Sequence, residues 1–153
     1  MLDLQEISDR LEIQQLMINY STAIDERDFD KLDQVFTPDA YIDYRAMGGI
    51  DGRYPEIKAW LKEIMPTFPN YYHMLGNPSV TISSNSATSR TICFNPMVTG
   101  AAEGQSQTEV FFCGLWYADK HTRTADGWRI AERIEESCFL HNAPEHIRRL
   151  YPF

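Results

Sequence analysis

Residues 19–40 read NYSTAIDERDFDKLDQVFTPDA, and this stretch predicts the end of one helix, a second short helix and the approach to a sheet. Upstream of it, Ser8 is a suitable N-cap, and apolar residues recur at helical spacing as far as about Asp25. These apolar positions are Leu11, Ile13, Leu16, Met17, Ile18 and Ile24. Asp28 can cap the second helix, which Pro38 closes.

The carboxylate of Asp25 stands at an unfavourable place. A helix ends in unpaired carbonyl groups that carry negative partial charge, so a carboxylate there costs about 0.3–1 kcal/mol. The residues alone leave two explanations open. Asp25 is either a solvated turn residue or is held by a partner that gains from its charge.

The rest of the sequence predicts one more strand and helix and then a sheet. Residues 40–46 alternate apolar and polar side chains as a strand does, and Pro55 begins a helix that Pro66 ends. Four long candidate strands follow at residues 71–83, 87–98, 108–121 and 128–140. The stretch 100–107 is predicted to be the loop between the second and third of these strands.

This order of elements predicts the fold class. Helices followed by strands, without a repeat or linker, indicate a single α+β domain over residues 1–153, with helices packed on a strongly curved antiparallel sheet. Strands of this length twist and bulge, so the sheet should curl into a cone-like α+β barrel with an internal cavity.

Composition narrows the function classes. The net charge of −8 and the pI of about 4.9 disfavour nucleic acid and anionic membrane surfaces as partners, because both require basic patches. The acidic N-terminus and the lack of a long apolar segment predict a soluble, cytoplasmic protein. Three widely spaced cysteines without a CxxC motif are expected to be small buried hydrophobic residues, and no metal site is indicated. Those cysteines are Cys93, Cys113 and Cys138.

His73 lies in the sequence YYHMLGN, at the start of the first long candidate strand. Its apolar and amphipathic neighbours predict that the imidazole is partly shielded from water. A carboxylate on one ring nitrogen would fix the tautomer and make the other nitrogen more basic. Asp25 is a candidate for that carboxylate, while a purely structural role for His73 stays open.

A longer pattern contains both residues. From Tyr20 the chain reads Y-x4-D-x2-D-x3-L-x3-F-x-x-D-A, and from His73 it reads H-x-L-x-N. Together with the later sequence DGWRI at residues 126–130, this order resembles the SnoaL-like branch of the nuclear transport factor two-like superfamily. The resemblance extends over about residues 8–140.

The resemblance implies a reaction type and a set of site residues. The pair of Asp25 and His73 is similar to the dyad of scytalone dehydratase, bile-acid 7α-dehydratases and hexachlorocyclohexane dehydrochlorinase, which are cofactor-free lyases. It implies that His73 removes a proton, that Asp25 orients it, and that no cofactor is needed. Tyr20 matches a tyrosine of the dehydratases and is expected to be catalytic. Tyr44 resembles a second such tyrosine and, with Arg133, is expected to bind substrate.

Structural roles stay open for three of these residues. Tyr20 and Tyr44 could be core aromatics whose hydroxyl groups reach the surface. Arg133 interrupts an apolar strand and could form an ion pair with Glu132, with Glu135 or with an acidic residue on the next strand.

The leading interpretation is a dehydratase-like lyase that acts on a small hydroxylated cyclic compound. Alternatives are a polyketide cyclase or isomerase that uses the same base, a non-catalytic small-molecule binder, or the small subunit of a dioxygenase. Long aromatic-rich strands leave an apolar outer face, so a homo-oligomer is expected, a trimer in the first place and otherwise a dimer.

Overall fold

The computed structural model describes residues 1–100 and 108–149, in which helices come first and long strands afterwards. The helices are α1 (Leu4–Asp25), α2 (Tyr54–Ile64) and α3 (Glu145–Arg148), with short 3-10 helices at Phe29–Gln34, Arg45–Met47 and Met65–Thr67. The strands are β1 (Phe36–Asp43), β2 (Asp51–Arg53), β3 (Asn70–Tyr71), β4 (Met74–Leu75), β5 (Ser79–Ser83), β6 (Ser86–Thr99), β7 (Glu109–Thr124) and β8 (Gly127–His141).

These strands form one sheet in the order β2, β1, β8, β7, β6, and β3, β4 and β5 each pair with β6. Register shifts after Gly114 and Lys120 bend the long β7–β8 pair. The result is an open, curled sheet with helices on its concave side, which confirms the predicted fold class. One pair differs from the predicted antiparallel sheet, because β1 runs parallel to β8.

The first helix begins earlier than predicted. Asp3 caps α1 by accepting a hydrogen bond of 2.8 Å from the backbone N–H of Glu6, so Ser8 is not the cap. The helix nevertheless ends at Asp25, as the sequence predicts.

The apolar residues of α1 do not all face the core. Ile13 and Met17 are buried, whereas Leu11 and Ile18 are 60% and 45% exposed. Leu11 lies two residues from Ile13, which is about 200° around the helix, so both cannot face the same core. Leu11 and Ile18 therefore belong to the predicted helix but do not face the core.

Two strand boundaries also differ. The predicted second helix is only the 3-10 helix, and β1 already begins at Phe36, so that Pro38 lies inside a strand. The β1–β8 register shifts between Phe36 and Tyr41, and a residue without an N–H is tolerated at such an irregularity. The predicted strand over residues 71–83 is split into β3, β4 and β5. The loop predicted over residues 100–107 lies outside the described residues except for Gly100.

Asp9 ties α1 to the far end of the sheet. Its buried carboxylate accepts hydrogen bonds from Gln5, from both terminal nitrogens of Arg123 (2.8 and 2.6 Å) and from the indole of Trp128 (3.1 Å). The Arg123 guanidinium holds the pKa of Asp9 well below its usual range. We call this group the Asp9 anchor; it fixes the helix that carries the candidate site at its other end.

The structure also places His121 and the three cysteines. His121 and Ser89 share a hydrogen bond of 2.8 Å, and burial lowers the pKa of His121 to about 4. Cys93 and Cys113 are buried as expected, but Cys138 is exposed because it lies near the end of β8, on the outer side. No helix among the described residues is long and apolar enough to cross a membrane.

Candidate functional site

A cavity of about 310 Å³ lies between the concave face of the sheet, the end of α1 and one side of α2. Its wall is mainly apolar and aromatic, with contributions from Trp60, Leu61 and Phe68 and a cover that includes Ile147 of α3. The polar side chains that reach it are Tyr20, Tyr44, His73, Asn95, Tyr117 and Glu135. A mostly apolar pocket with a few convergent polar groups is the usual form of a small-molecule site.

Asp25 and His73 are in direct contact at this wall. The ring Nδ1 of His73 lies 2.6 Å from Oδ1 of Asp25, and the backbone N–H of His73 donates to Oδ2 at 3.0 Å. The carboxylate therefore holds the histidine at two points. This contact explains how a carboxylate is accommodated at the end of α1, since it gains a ring and a backbone partner there.

The contact also assigns the tautomer of His73. An ionised carboxylate only accepts hydrogen bonds, so Nδ1 carries the hydrogen that it donates to Asp25. Nε2 is then the acceptor nitrogen and remains available to a ligand in the cavity. His73 lies in the link between β3 and β4, at a position that the sequence analysis predicted to be the start of a continuous strand.

Tyr20 and Tyr44 meet beside the histidine. Their hydroxyl oxygens are 2.8 Å apart, and the Tyr20 ring packs edge-on against His73 with a centroid distance of 6.1 Å. Burial raises the pKa of Tyr20 to about 12 and that of Tyr44 well above its usual value. Both hydroxyls are protonated at neutral pH. One hydrogen serves their mutual bond, and the other can be donated to a neighbour or a ligand.

Arg133 does not reach the cavity wall. Its guanidinium is fully buried and forms two hydrogen bonds of 2.8 Å with Asp119 on β7, the neighbouring strand. It lies over the rings of Tyr20 and Tyr117 at 4.1 and 4.2 Å. The structure therefore matches the alternative of an ion pair with an acidic residue on the next strand, and Arg133 stands behind the tyrosines instead of beside them.

Glu135 is a pocket residue to which the sequence analysis assigned no functional role. It lies opposite Tyr117 in the β7–β8 register and lines the cavity. Alternation along β8 could have found it, because it is two residues beyond the inward-facing Arg133. Asn95, whose amide donates to the carbonyl of Tyr72, also reaches the cavity without a sequence signal. Among the described residues, no group of three or more His, Cys, Asp or Glu side chains could hold a metal ion.

Comparison with known proteins assigns the family. The SnoaL-like domain matches residues 5–134, which is most of the chain. The chain belongs to the SnoaL-like family. A curated relative, an uncharacterized protein of Mycobacterium tuberculosis strain H37Rv, is 62% identical over 139 residues that cover 91% of this chain and 92% of that protein.

Solved structures share the fold of this SnoaL-like protein. Hexachlorocyclohexane dehydrochlorinase LinA-type3 of Novosphingobium barchaimii superimposes with a TM-score of 0.77 at 16% identity, covering 94% of this chain and 96% of that chain. A scytalone dehydratase-like protein of Novosphingobium aromaticivorans gives a TM-score of 0.77 at 16% identity, covering 90% and 89%. At such identity the likeness concerns the fold alone.

Proposed function

We propose that this SnoaL-like protein is a cofactor-free lyase that removes water from a small hydroxylated cyclic compound. The observation that carries the proposal is the two-point contact between Asp25 and His73 at the wall of an apolar cavity. Two structural neighbours, a dehydrochlorinase and a scytalone dehydratase-like protein, are named for eliminations, and elimination is the chemistry proposed here.

His73 is the general base of the proposed reaction. Its Nε2 takes a proton from the carbon next to a carbonyl or similar activating group, and the ring becomes an imidazolium. Asp25 stabilises that positive charge through the bond to Nδ1 and keeps the acceptor nitrogen directed to the substrate. A base placed in this way contributes roughly 10²- to 10⁴-fold to the rate.

The tyrosine pair supplies the hydrogen bond that the developing charge needs. As the proton leaves carbon, negative charge moves to the carbonyl oxygen, and a hydroxyl of Tyr20 or Tyr44 donates to it. The buried positive charge of Arg133 behind the Tyr20 ring favours this polarisation. Arg133 thus acts through the tyrosines, and direct binding of substrate by Arg133 is not part of the proposal.

A substrate-independent probe tests the base. Nitrobenzisoxazole opens to a coloured phenolate when a base removes its ring C–H proton, and it needs no proton donor. We expect the protein to catalyse this opening and His73→Ala to lose roughly 10²- to 10⁴-fold of the rate. Asp25→Asn should also be severely impaired, because an amide cannot stabilise the imidazolium.

The matched control is His146→Ala, which removes an exposed histidine of α3. It should open the probe at the wild-type rate. A His73→Ala protein as active as the wild type would contradict the proposal and leave a small-molecule binding protein as the better account of the cavity.

We also propose a homo-oligomer, a trimer in the first place, that forms through the outer face of β6, β7 and β8. Large apolar side chains are exposed there, namely Ile92, Phe94, Val110 and Phe139. Light scattering should report the oligomer for the wild type and for Leu11→Glu on α1, but a monomer for Phe94→Glu. We propose the cytoplasm as the compartment, because a reducing compartment preserves an exposed thiol such as that of Cys138.

A further inference from the structure

The carboxyl group of Glu135 is placed differently from the other acidic groups inside the sheet. It lines the cavity that contains His73, and it forms no hydrogen bond or ion pair within residues 1–100 and 108–149. Asp9 and Asp119, by contrast, each accept two or more hydrogen bonds from an arginine. An acidic group on a pocket wall without a protein partner is free to contact whatever enters the pocket.

The charged and titratable groups around Glu135 come from four strands, from α1 and from the turn after β1. Arg133 on the same strand lowers the pKa of Glu135; its Nε and Nη2 are bound by Asp119, and its Nη1 has no hydrogen-bond partner among the described residues. The negative charge of Asp43 on β1 raises the pKa of Glu135. The nearby Cys93 on β6 and the tyrosines of α1, β7 and the turn after β1 are neutral, because burial raises the pKa of each.

Burial is the largest influence on Glu135 itself and raises its pKa well above the usual range. The carboxyl group therefore holds its proton at a pH at which an ordinary glutamate has lost it.

The proposed dehydration requires such an acid. His73 removes a proton from carbon, but hydroxide is a poor leaving group and must be protonated as it departs. Resting on the proposed function, we infer that Glu135 is the general acid that protonates the departing hydroxyl group of the substrate. The substrate class is then a cyclic compound with a hydroxyl group β to its activating carbonyl.

The step balances without an oxidant or reductant. The electron pair of the C–H bond forms the new carbon–carbon double bond as His73 takes the proton. The C–O bond breaks with its electron pair on oxygen, which receives the proton of Glu135 and leaves as water. His73 is left as imidazolium and Glu135 as carboxylate, and water that enters after product release returns the proton from the histidine to the glutamate.

A pair of probes that differ only in the leaving group tests this assignment. β-Hydroxycyclohexanone must lose a hydroxyl group, whereas β-(nitrophenoxy)cyclohexanone loses a stable nitrophenolate that needs no proton. Glu135→Gln should lower the turnover of the hydroxyl compound by roughly 10²- to 10⁴-fold and leave nitrophenolate release near the wild-type rate. Glu132→Gln, a change on the opposite face of β8, is the matched control and should affect neither probe.

A second measurement reads the proton directly. Infrared difference spectra between wild type and Glu135→Gln at neutral pH should show the carbonyl band of a protonated carboxyl group in the wild type. The role of Glu135 is overturned if Glu135→Gln slows both probes equally or slows neither, or if the wild type lacks this band. Elimination by His73 would stand in each of these cases. If the wild type eliminates neither leaving group, the proposed function and this inference both fail.

Discussion

The carboxyl groups at the two ends of the concave surface differ in how many hydrogen-bond partners they have. We call the end with the Asp9 anchor the closed end and the end with the cavity the open end. At the closed end, the Asp9 carboxylate accepts hydrogen bonds from an arginine, an indole and an amide. At the open end, and within residues 1–100 and 108–149, Asp25 binds only His73 and Glu135 has no hydrogen-bond partner.

The difference separates structural from functional polar groups. A buried polar group that is fully hydrogen-bonded has no capacity left for a ligand, and its loss costs folding free energy. A polar group left without partners costs folding free energy in the native state, and it retains the ability to bind or react. We therefore expect substitutions at the closed end to change stability and substitutions at the open end to change activity.

The largest expected effect is on stability, at the ion pair of Arg133 and Asp119. Both side chains are fully buried, so Asp119→Asn leaves a guanidinium charge without a counterion. We expect a loss of about 3–5 kcal/mol in the free energy of unfolding, measured by urea denaturation. The double variant Asp119→Leu with Arg133→Met is the control and should recover most of that loss, because it removes both charges. A single variant as stable as wild type would contradict the comparison.

The next effect depends on pH and concerns His121. Folding lowers its pKa from 6.5 to about 4, so unfolded His121 takes up a proton between these values while folded His121 does not. Its contribution to stability is complete above pH 6.5, falls as the pH decreases towards about 4, and amounts to about 3 kcal/mol. Unfolding free energies of His121→Gln should lack this slope, whereas the exposed His146→Gln should keep it. An unchanged slope in His121→Gln would show that other groups cause it.

At the open end, Tyr20→Phe should change catalysis and leave the fold intact. It removes one hydroxyl of the Tyr20–Tyr44 pair, and Tyr44 remains to donate to the substrate oxygen. We expect kcat for β-hydroxycyclohexanone to fall about tenfold, which corresponds to about 1.4 kcal/mol, while KM changes little. A rise in KM with unchanged kcat would instead assign Tyr20 to ground-state binding.

Sequence reasoning located the pair of Asp25 and His73 better than its surroundings. The position of Asp25 at a helix end and of His73 in an apolar stretch indicated that each needed a partner, and the structure joins them. The second bond, from the backbone N–H of His73, depends on how the β3–β4 link bends, and residue types do not encode that directly. The fold class followed from the order of helices and strands.

Two features of the sheet were less predictable, namely which side chains of a strand point inward and which strands are neighbours. Register shifts after Gly114 and Lys120 change which residues point inward, so counting alternate residues along β7 and β8 does not give a secure inner face. Between these two shifts the alternation along β8 is regular, and there it separates Glu135, which faces the cavity with Arg133, from Glu132 and Glu136 on the other face. The parallel pairing of β1 with β8 joins segments about ninety residues apart, and local sequence patterns do not predict such a pairing.

The smallest expected effect has the opposite sign and involves Glu135. Glu135→Leu replaces a carboxyl group that lacks a partner among the described residues, so we expect the protein to gain about 1 kcal/mol in stability. Because folding raises the pKa of Glu135 above 4.5, the unfolded state loses its proton first as the pH rises, and wild-type stability falls above that pH. The gain should therefore be small near pH 4.5 and larger at pH 7, as measured by urea denaturation at both values. Asp9→Leu, the matching change in the Asp9 anchor, should destabilise the protein at pH 7. If both variants lose stability equally, the two ends of the concave surface do not differ in the way argued here, and Glu135 is held by contacts that its open position does not reveal.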